Sequence, residues 1–178
     1  MIRRDVLKLG SVATAGLMMP GALAAVGLRR APELVLIDDR SAEGRMFGAV
    51  AVESGARVVM AGQDMLSMWH GPLRGASLAG LCGLTTYADM VVIAGLAAEA
   101  RRSFALRIAH RHEAGATVHQ LMDGPLNSLP ILAAAADRWP AGAWSIMTGD
   151  LGAVGKRGGT ESVRPTARTG MFWSWSIA

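Results

Sequence analysis

Residues 33–38, Glu-Leu-Val-Leu-Ile-Asp, form an unbroken apolar run closed by a carboxylate, with a second carboxylate, Asp39, directly after it. Four large apolar side chains in succession leave no polar face for water, so the run reads as a strand covered on both sides. Beyond it the period changes. Ser41 is a candidate N-cap, Met46, Phe47, Val50 and Ala51 fall on one face of a helix over 41–53, and Gly55 closes that helix. Arg57 to Ala61 then gives a second strand. Two strands joined by a helix of this length imply a parallel pair with a right-handed crossover.

The alternation continues with a small-residue strand over Ser77–Cys82, a helix over Tyr87–Arg102 and a strand over Phe104–His112. Thr85 or Thr86 can cap that helix, and Asp89 in its first turn complements the helix dipole. The pattern predicts a single small α/β domain built on a mixed, mostly parallel sheet with flanking helices. Its parallel part should hold 34–38, 57–61, 77–82 and 104–110. Further on, Glu113-Ala114-Gly115-Ala116 reads as a turn joining Arg107–His112 to Thr117–Met122 in a hairpin. Ser128–Trp139 reads as a short helix ended by Pro140, and Ala143–Met147 as a strand. Residues 149–169 are rich in Gly, Arg and Thr without apolar period, which predicts a loop or loosely held arm. At the end Met171, Trp173, Trp175 and Ile177 alternate with Phe172, Ser174 and Ser176, the period of a half-buried strand whose tryptophans face the core or a partner.

The first two dozen residues follow a different logic. Arg3 and Arg4 precede Val6, Leu7 and Lys8, a weakly apolar run extends to Met19, and Ala22 and Ala24 have small-x-small spacing. This segment resembles a twin-arginine export signal. Val6 stands where that pattern carries Phe, and Ile2 where it carries Ser or Thr. Gly10, Ser11, Thr14 and Gly16 dilute the apolar run, which is also too short and interrupted to span a bilayer, a task needing roughly 20 apolar residues. The resemblance implies residues 1–24 as a signal, a mature domain over 25–178, passage through the Tat translocase in the folded state, and a periplasmic location.

Composition narrows the partners. The chain has 178 residues and a net charge of +4, of which Arg3, Arg4 and Lys8 against Asp5 supply two. The expected mature domain is thus only mildly basic, which gives no ground for nucleic-acid binding. No later segment reads as a membrane span. Cys82 is the single cysteine, so no internal disulfide is possible and stability must come from packing.

Candidate chemistry falls in two places. In open α/β sheets ligands bind beyond the carboxyl ends of the strands. Here that edge would carry Asp38, Asp39, Asp64, Thr85 and Thr86, oxygen ligands for a divalent cation or a polar substrate. The same residue types also serve as turn residues and helix caps. The second place is the hairpin. If 112 pairs with 117, then 110 pairs with 119, and His110, His112 and His119 project from one face, where imidazoles can ligate zinc or copper. The alternative is a solvated strand face.

Leu34–Asp39 resembles the first strand and acidic pair of phospho-receiver domains, but no later strand ends in the lone Asp that would take the phosphate. Gly80-Leu81-Cys82-Gly83 lacks the third glycine of a dinucleotide fingerprint, Gly155-Lys156 lacks the rest of a P-loop, and there is no Gly-x-Ser-x-Gly elbow. No catalytic group and no cofactor is named by the sequence. Two classes remain: an exported binding or accessory protein, such as one that travels with a larger partner enzyme, and a small metal-dependent enzyme using 38/39/64 or 110/112/119. The reading leans to the first.

Replacing both Arg3 and Arg4 by Lys should hold the full-length chain in the cytoplasm. Fractionation that finds undiminished periplasmic protein from this variant would overturn the export expectation.

Overall fold

A computed structural model of the chain describes residues 32–61, 64–71, 73, 80–113, 115–149 and 170–178. The expected export signal, residues 77–79 of the expected third strand, Ala114 of the turn and all but Gly149 of the expected arm lie outside the described residues. Six strands, β1 (Leu34–Ile37), β2 (Arg57–Met60), β3 (Leu81–Thr86), β4 (Phe104–Glu113), β5 (Ala116–Asp123) and β6 (Met171–Ile177), form one sheet in the order β2-β1-β3-β6-β4-β5. Helices α1 (Ala42–Glu53), α2 (Met65–His70), α3 (Tyr87–Glu99), α4 (Ser128–Ala135) and α5 (Trp139–Thr148) flank it. The domain is α/β, with a mixed sheet and flanking helices, as the alternation of periods implies.

Two apolar clusters sandwich the sheet. One joins Leu34 and Leu36 of β1 to Met65 and Met68 of α2, Met90, Ile93 and Leu96 of α3, and the tryptophans of β6. The other joins Val35 and Ile37 to Phe47 of α1, Leu132 of α4, and Trp144 and Met147 of α5. Alternate residues of β1 thus enter different clusters, which is why that strand has no polar position. Ser41 caps α1 by accepting from the Gly44 amide at 2.8 Å. Thr86 caps α3, accepting from the Asp89 amide and donating to the Asp89 carboxylate at 2.8 Å. Each cap satisfies an amide that the first turn of a helix leaves without a partner.

The strand balance differs from expectation. β1 pairs in parallel with β2 and β3, while β3–β6, β6–β4 and β4–β5 are antiparallel. Among the described residues the sheet is therefore more antiparallel than parallel. The reason is β6, which enters between β3 and β4 and separates the fourth strand from the parallel part. Because β4 is antiparallel to β6 and β6 to β3, β4 still runs in the direction of β1, β2 and β3. The third strand also lies later than expected, at 81–86, so Gly83, Leu84 and Thr85 are strand residues with Thr86 at once its end and a cap.

Gly83 explains how a terminal strand reaches the middle of the sheet. A β-carbon there would stand 2.7 Å from the Trp175 ring and 2.5 Å from the Leu36 carbonyl oxygen. The missing side chain is the space the indole fills, and Trp175 is fully buried with its Nε1–H donating to Thr85 Oγ1 at 3.0 Å. Trp173, Trp175 and Ile177 all enter the α3-side cluster, as their alternation predicts. The intervening Ser174 and Ser176 are buried as well, because α4 and α5 cover the opposite face.

The expected strand at 143–147 is instead helix, the body of α5. Pro140 lies at the start of that helix rather than ending the previous one, a position where its missing N–H costs nothing. Trp139, Ala143, Trp144 and Met147 recur at helical spacing and all are buried, and a helix buried nearly all round loses the polar stripe that would have marked its period. Ala136, at a φ of 46°, ends α4 and opens the short 3-10 turn that leads into α5.

Replacing Trp175 by Ala empties the site over Gly83 and removes the donor to Thr85 Oγ1. The expected loss is about 3–5 kcal/mol of stability, read as a lowered urea midpoint. An unchanged midpoint would refute the central role given to β6.

Candidate functional site

Strand direction brings the ends of β1, β2, β3 and β4 to one edge of the sheet. Asp38, Asp39, Asp64, Thr85 and Thr86 close or follow β1, β2 and β3, and His110 and His112 lie near the end of β4. Their hydrogen bonds divide them into two groups.

The acidic group is largely occupied by the fold. Asp38 is 4 % exposed and accepts from Arg40 Nε at 2.7 Å and Nη2 at 3.1 Å. This hydrogen-bonded contact and the charge of Asp38 raise the Arg40 pKa further above its ordinary value. Asp64 caps α2, accepting from the amides of Leu66 at 3.0 Å and Ser67 at 3.2 Å, and from the Ser67 hydroxyl. Those bonds, led by the Ser67 hydroxyl, lower its pKa. Thr85 accepts from Trp175 and donates to the Thr86 carbonyl at 3.3 Å, and Thr86 caps α3. Asp39 is half-buried, and its carbonyl accepts from Arg45 Nη1 at 2.8 Å. These oxygens serve turns, caps and one arginine fork.

The histidine group is different. The hairpin register is the expected one, His110 opposite His119 and His112 opposite Thr117. His110 and His119 face each other with their Nδ1 atoms 2.8 Å apart, and His110 Nε2 lies 2.8 Å from Ser174 Oγ on β6. Since each contact needs one proton, the two facing nitrogens cannot both be donors. Trp139, the first residue of α5, stacks on His110 with ring centroids 4.0 Å apart and planes at 23°. His112 goes elsewhere. Its Nε2 lies 3.0 Å from Glu43 Oε1 in the first turn of α1, and its Nδ1 lies 3.0 Å from Thr117 Oγ1. The three imidazoles share a sheet face but do not converge on a point. No three His, Cys, Asp or Glu side chains among the described residues are grouped so as to hold a metal ion.

Above this row lies a small open cleft. Glu43 and Met46 of α1 form one wall, and His112 and Thr117 of the hairpin another. Asp137, Trp139 and Pro140 close it from the start of α5. Sequence reading found the histidines but not Glu43, Thr117, Trp139 or Ser174 as members of the site. Glu43 had a signal, since a carboxylate in the first turn of a helix that follows β1 must sit at the carboxyl edge. Trp139 and Ser174 had none, because only packing brings α5 and β6 to β4.

Burial sets the electrostatics of the row. His110 is wholly buried, which drives its pKa well below the ordinary histidine value, and the neighbouring His119 and His112 push in the same direction. Burial, then the charge of His112, lowers His119. Cys82 is buried too, and burial pushes its thiol far above the range in which a thiolate forms.

No family model, curated protein or solved structure matches the chain.

The lowered histidines make stability depend on pH with a definite sign. Above about pH 6.5, the unfolded value, folded and unfolded chains are both neutral at His110 and stability is full. As pH falls below that value the unfolded chain takes up a proton that the folded one refuses, so stability drops until the lowered folded pKa is passed. Between pH 7.5 and 5.5 His110 alone should remove on the order of 1 kcal/mol, measured by urea unfolding. A His110→Gln variant should lack this part of the decline, and an equally steep decline in that variant would refute the assignment.

Proposed function

We propose that this chain is an exported periplasmic binding or accessory protein that seats a small ligand in the cleft at the carboxyl edge of its sheet. The observation that carries the reading is the placement of that cleft. It lies beyond the strand ends, between α1, the hairpin and α5, with carboxylate, imidazole and hydroxyl groups beside an indole and a thioether. A few convergent polar groups beside an apolar wall are the chemistry of a small-molecule site, and a volume of about 20 Å³ admits a group of only a few atoms. Glu43 and Asp137 make the mouth unfavourable for anions and suit neutral or cationic ligands.

Export rests on the sequence features at Arg3, Arg4, Leu7, Lys8, Ala22 and Ala24, which imply the Tat translocase as partner and the periplasm as destination. That route carries folded cargo and often serves subunits of larger enzymes, which keeps a protein partner within the reading. Among the described residues no helix is long and apolar enough to cross a membrane.

Native mass spectrometry of protein purified from the periplasm tests the reading. The expected result is a bound small molecule or a partner polypeptide, with the small molecule lost on replacing Met46 by Trp, which fills the cleft. Protein that carries neither, yet takes up zinc in calorimetry through His110 and His119, would overturn it in favour of a metal-dependent enzyme.

A further inference from the structure

Glu43, His112 and Thr117 form a continuous carboxylate–imidazole–hydroxyl chain, drawn from α1, β4 and β5, and all three line the same cleft. Both links are 3.0 Å long. The Glu43 and His112 side chains are only 13 % and 16 % exposed, so solvent competes weakly for the link between them. The proton positions follow from the partners. A carboxylate only accepts, so His112 carries its proton on Nε2, and Nδ1 of the neutral ring is then an acceptor for the Thr117 O–H. A hydroxyl whose proton points at an imidazole, itself held by a carboxylate, is the arrangement that activates an oxygen nucleophile.

We propose that Thr117 is an acyl-accepting nucleophile, with His112 as its general base and Glu43 as the group that orients His112, and that the cleft hydrolyses short-chain esters. In the first half, Thr117 Oγ1 bonds to the ester carbonyl carbon while its proton passes to His112 Nδ1. The carbon–oxygen bond to the alcohol then breaks and the departing alcohol takes that proton. In the second half, water attacks the acyl-threonine, gives its proton to His112, and the carboxylic acid leaves as the proton returns to Thr117. Nothing beyond ester and water is consumed. Glu43 stabilises the transient imidazolium in both halves. The cleft is open and holds only about 20 Å³, so Met46, Trp139 and Pro140 offer an apolar wall for a group no larger than acetyl, with the alcohol part outside, whereas Asp137 and Glu43 disfavour anionic esters. The chain is separate from the His110–His119–Ser174 row, whose members face each other across the sheet rather than a cleft.

The inference shares its cleft with the ligand-binding reading but not its claim about location, and the two fail separately. The test is covalent. A small alkyl fluorophosphonate incubated with the full-length protein should form one adduct, mapped by peptide mass spectrometry to Thr117, with loss of fluoride. p-Nitrophenyl acetate should release p-nitrophenolate with a burst of one equivalent. Thr117→Val should lose adduct and burst, and Thr117→Ser should keep both. His112→Asn should slow acylation by about 100-fold, and Glu43→Gln should slow it as well. Wild-type protein with no adduct on Thr117, an adduct on another residue only, or full-rate labelling of the His112→Asn variant would each overturn the proposal. Ligand found in native spectra of a protein that refuses the adduct would sink this inference and leave the binding reading intact.

Discussion

Trp175 lying over Gly83 is the contact on which the rest of the architecture depends. A strand from the far end of the chain enters between β3 and β4 because one position on β3 has no side chain and one on β6 has the largest. The indole gains burial worth a few kcal/mol at roughly 25 cal/mol per Å², and its N–H avoids the cost of an unpaired buried donor by bonding Thr85. With β6 in place, β4 and β5 are joined to the parallel unit. Without it the hairpin would have no edge to pair with, and the histidines would not reach the carboxyl edge at all.

The same insertion creates the polar row. Ser174 alternates with the tryptophans, so seating Trp173 and Trp175 on the α3 side turns Ser174 toward α5, where it meets His110. Trp139 at the start of α5 then covers the imidazole. An imidazole in such a place stays neutral because its charged form would have neither water nor a carboxylate. His112, two residues along, meets Glu43 instead and lies within reach of the cleft. Two histidines of one strand face thus acquire opposite surroundings: one is sealed beneath an indole, the other is held by a carboxylate beside an opening.

Several parts of the fold were legible in the residues because they follow from short-range rules. The covered strand at 34–37, the helices after Ser41 and Thr86, and the hairpin register at 110/119 each rest on local period, capping or turn chemistry. Gly115, with a φ of 84°, supplies the turn conformation that sets that register. The strand expected at 143–147 failed because a wholly buried helix shows no polar stripe, and the balance of parallel and antiparallel pairings failed because strand neighbours are not a local property. The strand-end carboxylates were located correctly at the edge, but their hydrogen bonds to Arg40, Ser67 and the helix amides could be seen only in three dimensions.

By itself, the sequence determined the element types over most of the described chain, the alternating faces of β6 and the sharing of one sheet face by His110, His112 and His119. These are consequences of backbone period, which any stretch of chain carries with it. The tertiary structure alone decided that β6 sits at the centre, that Glu43 meets His112 across 69 positions of sequence, and that Trp139 lies on His110. Such contacts depend on which helix covers which half of the sheet. That is settled by the shapes and volumes of side chains distant in sequence, for which a linear pattern holds no record.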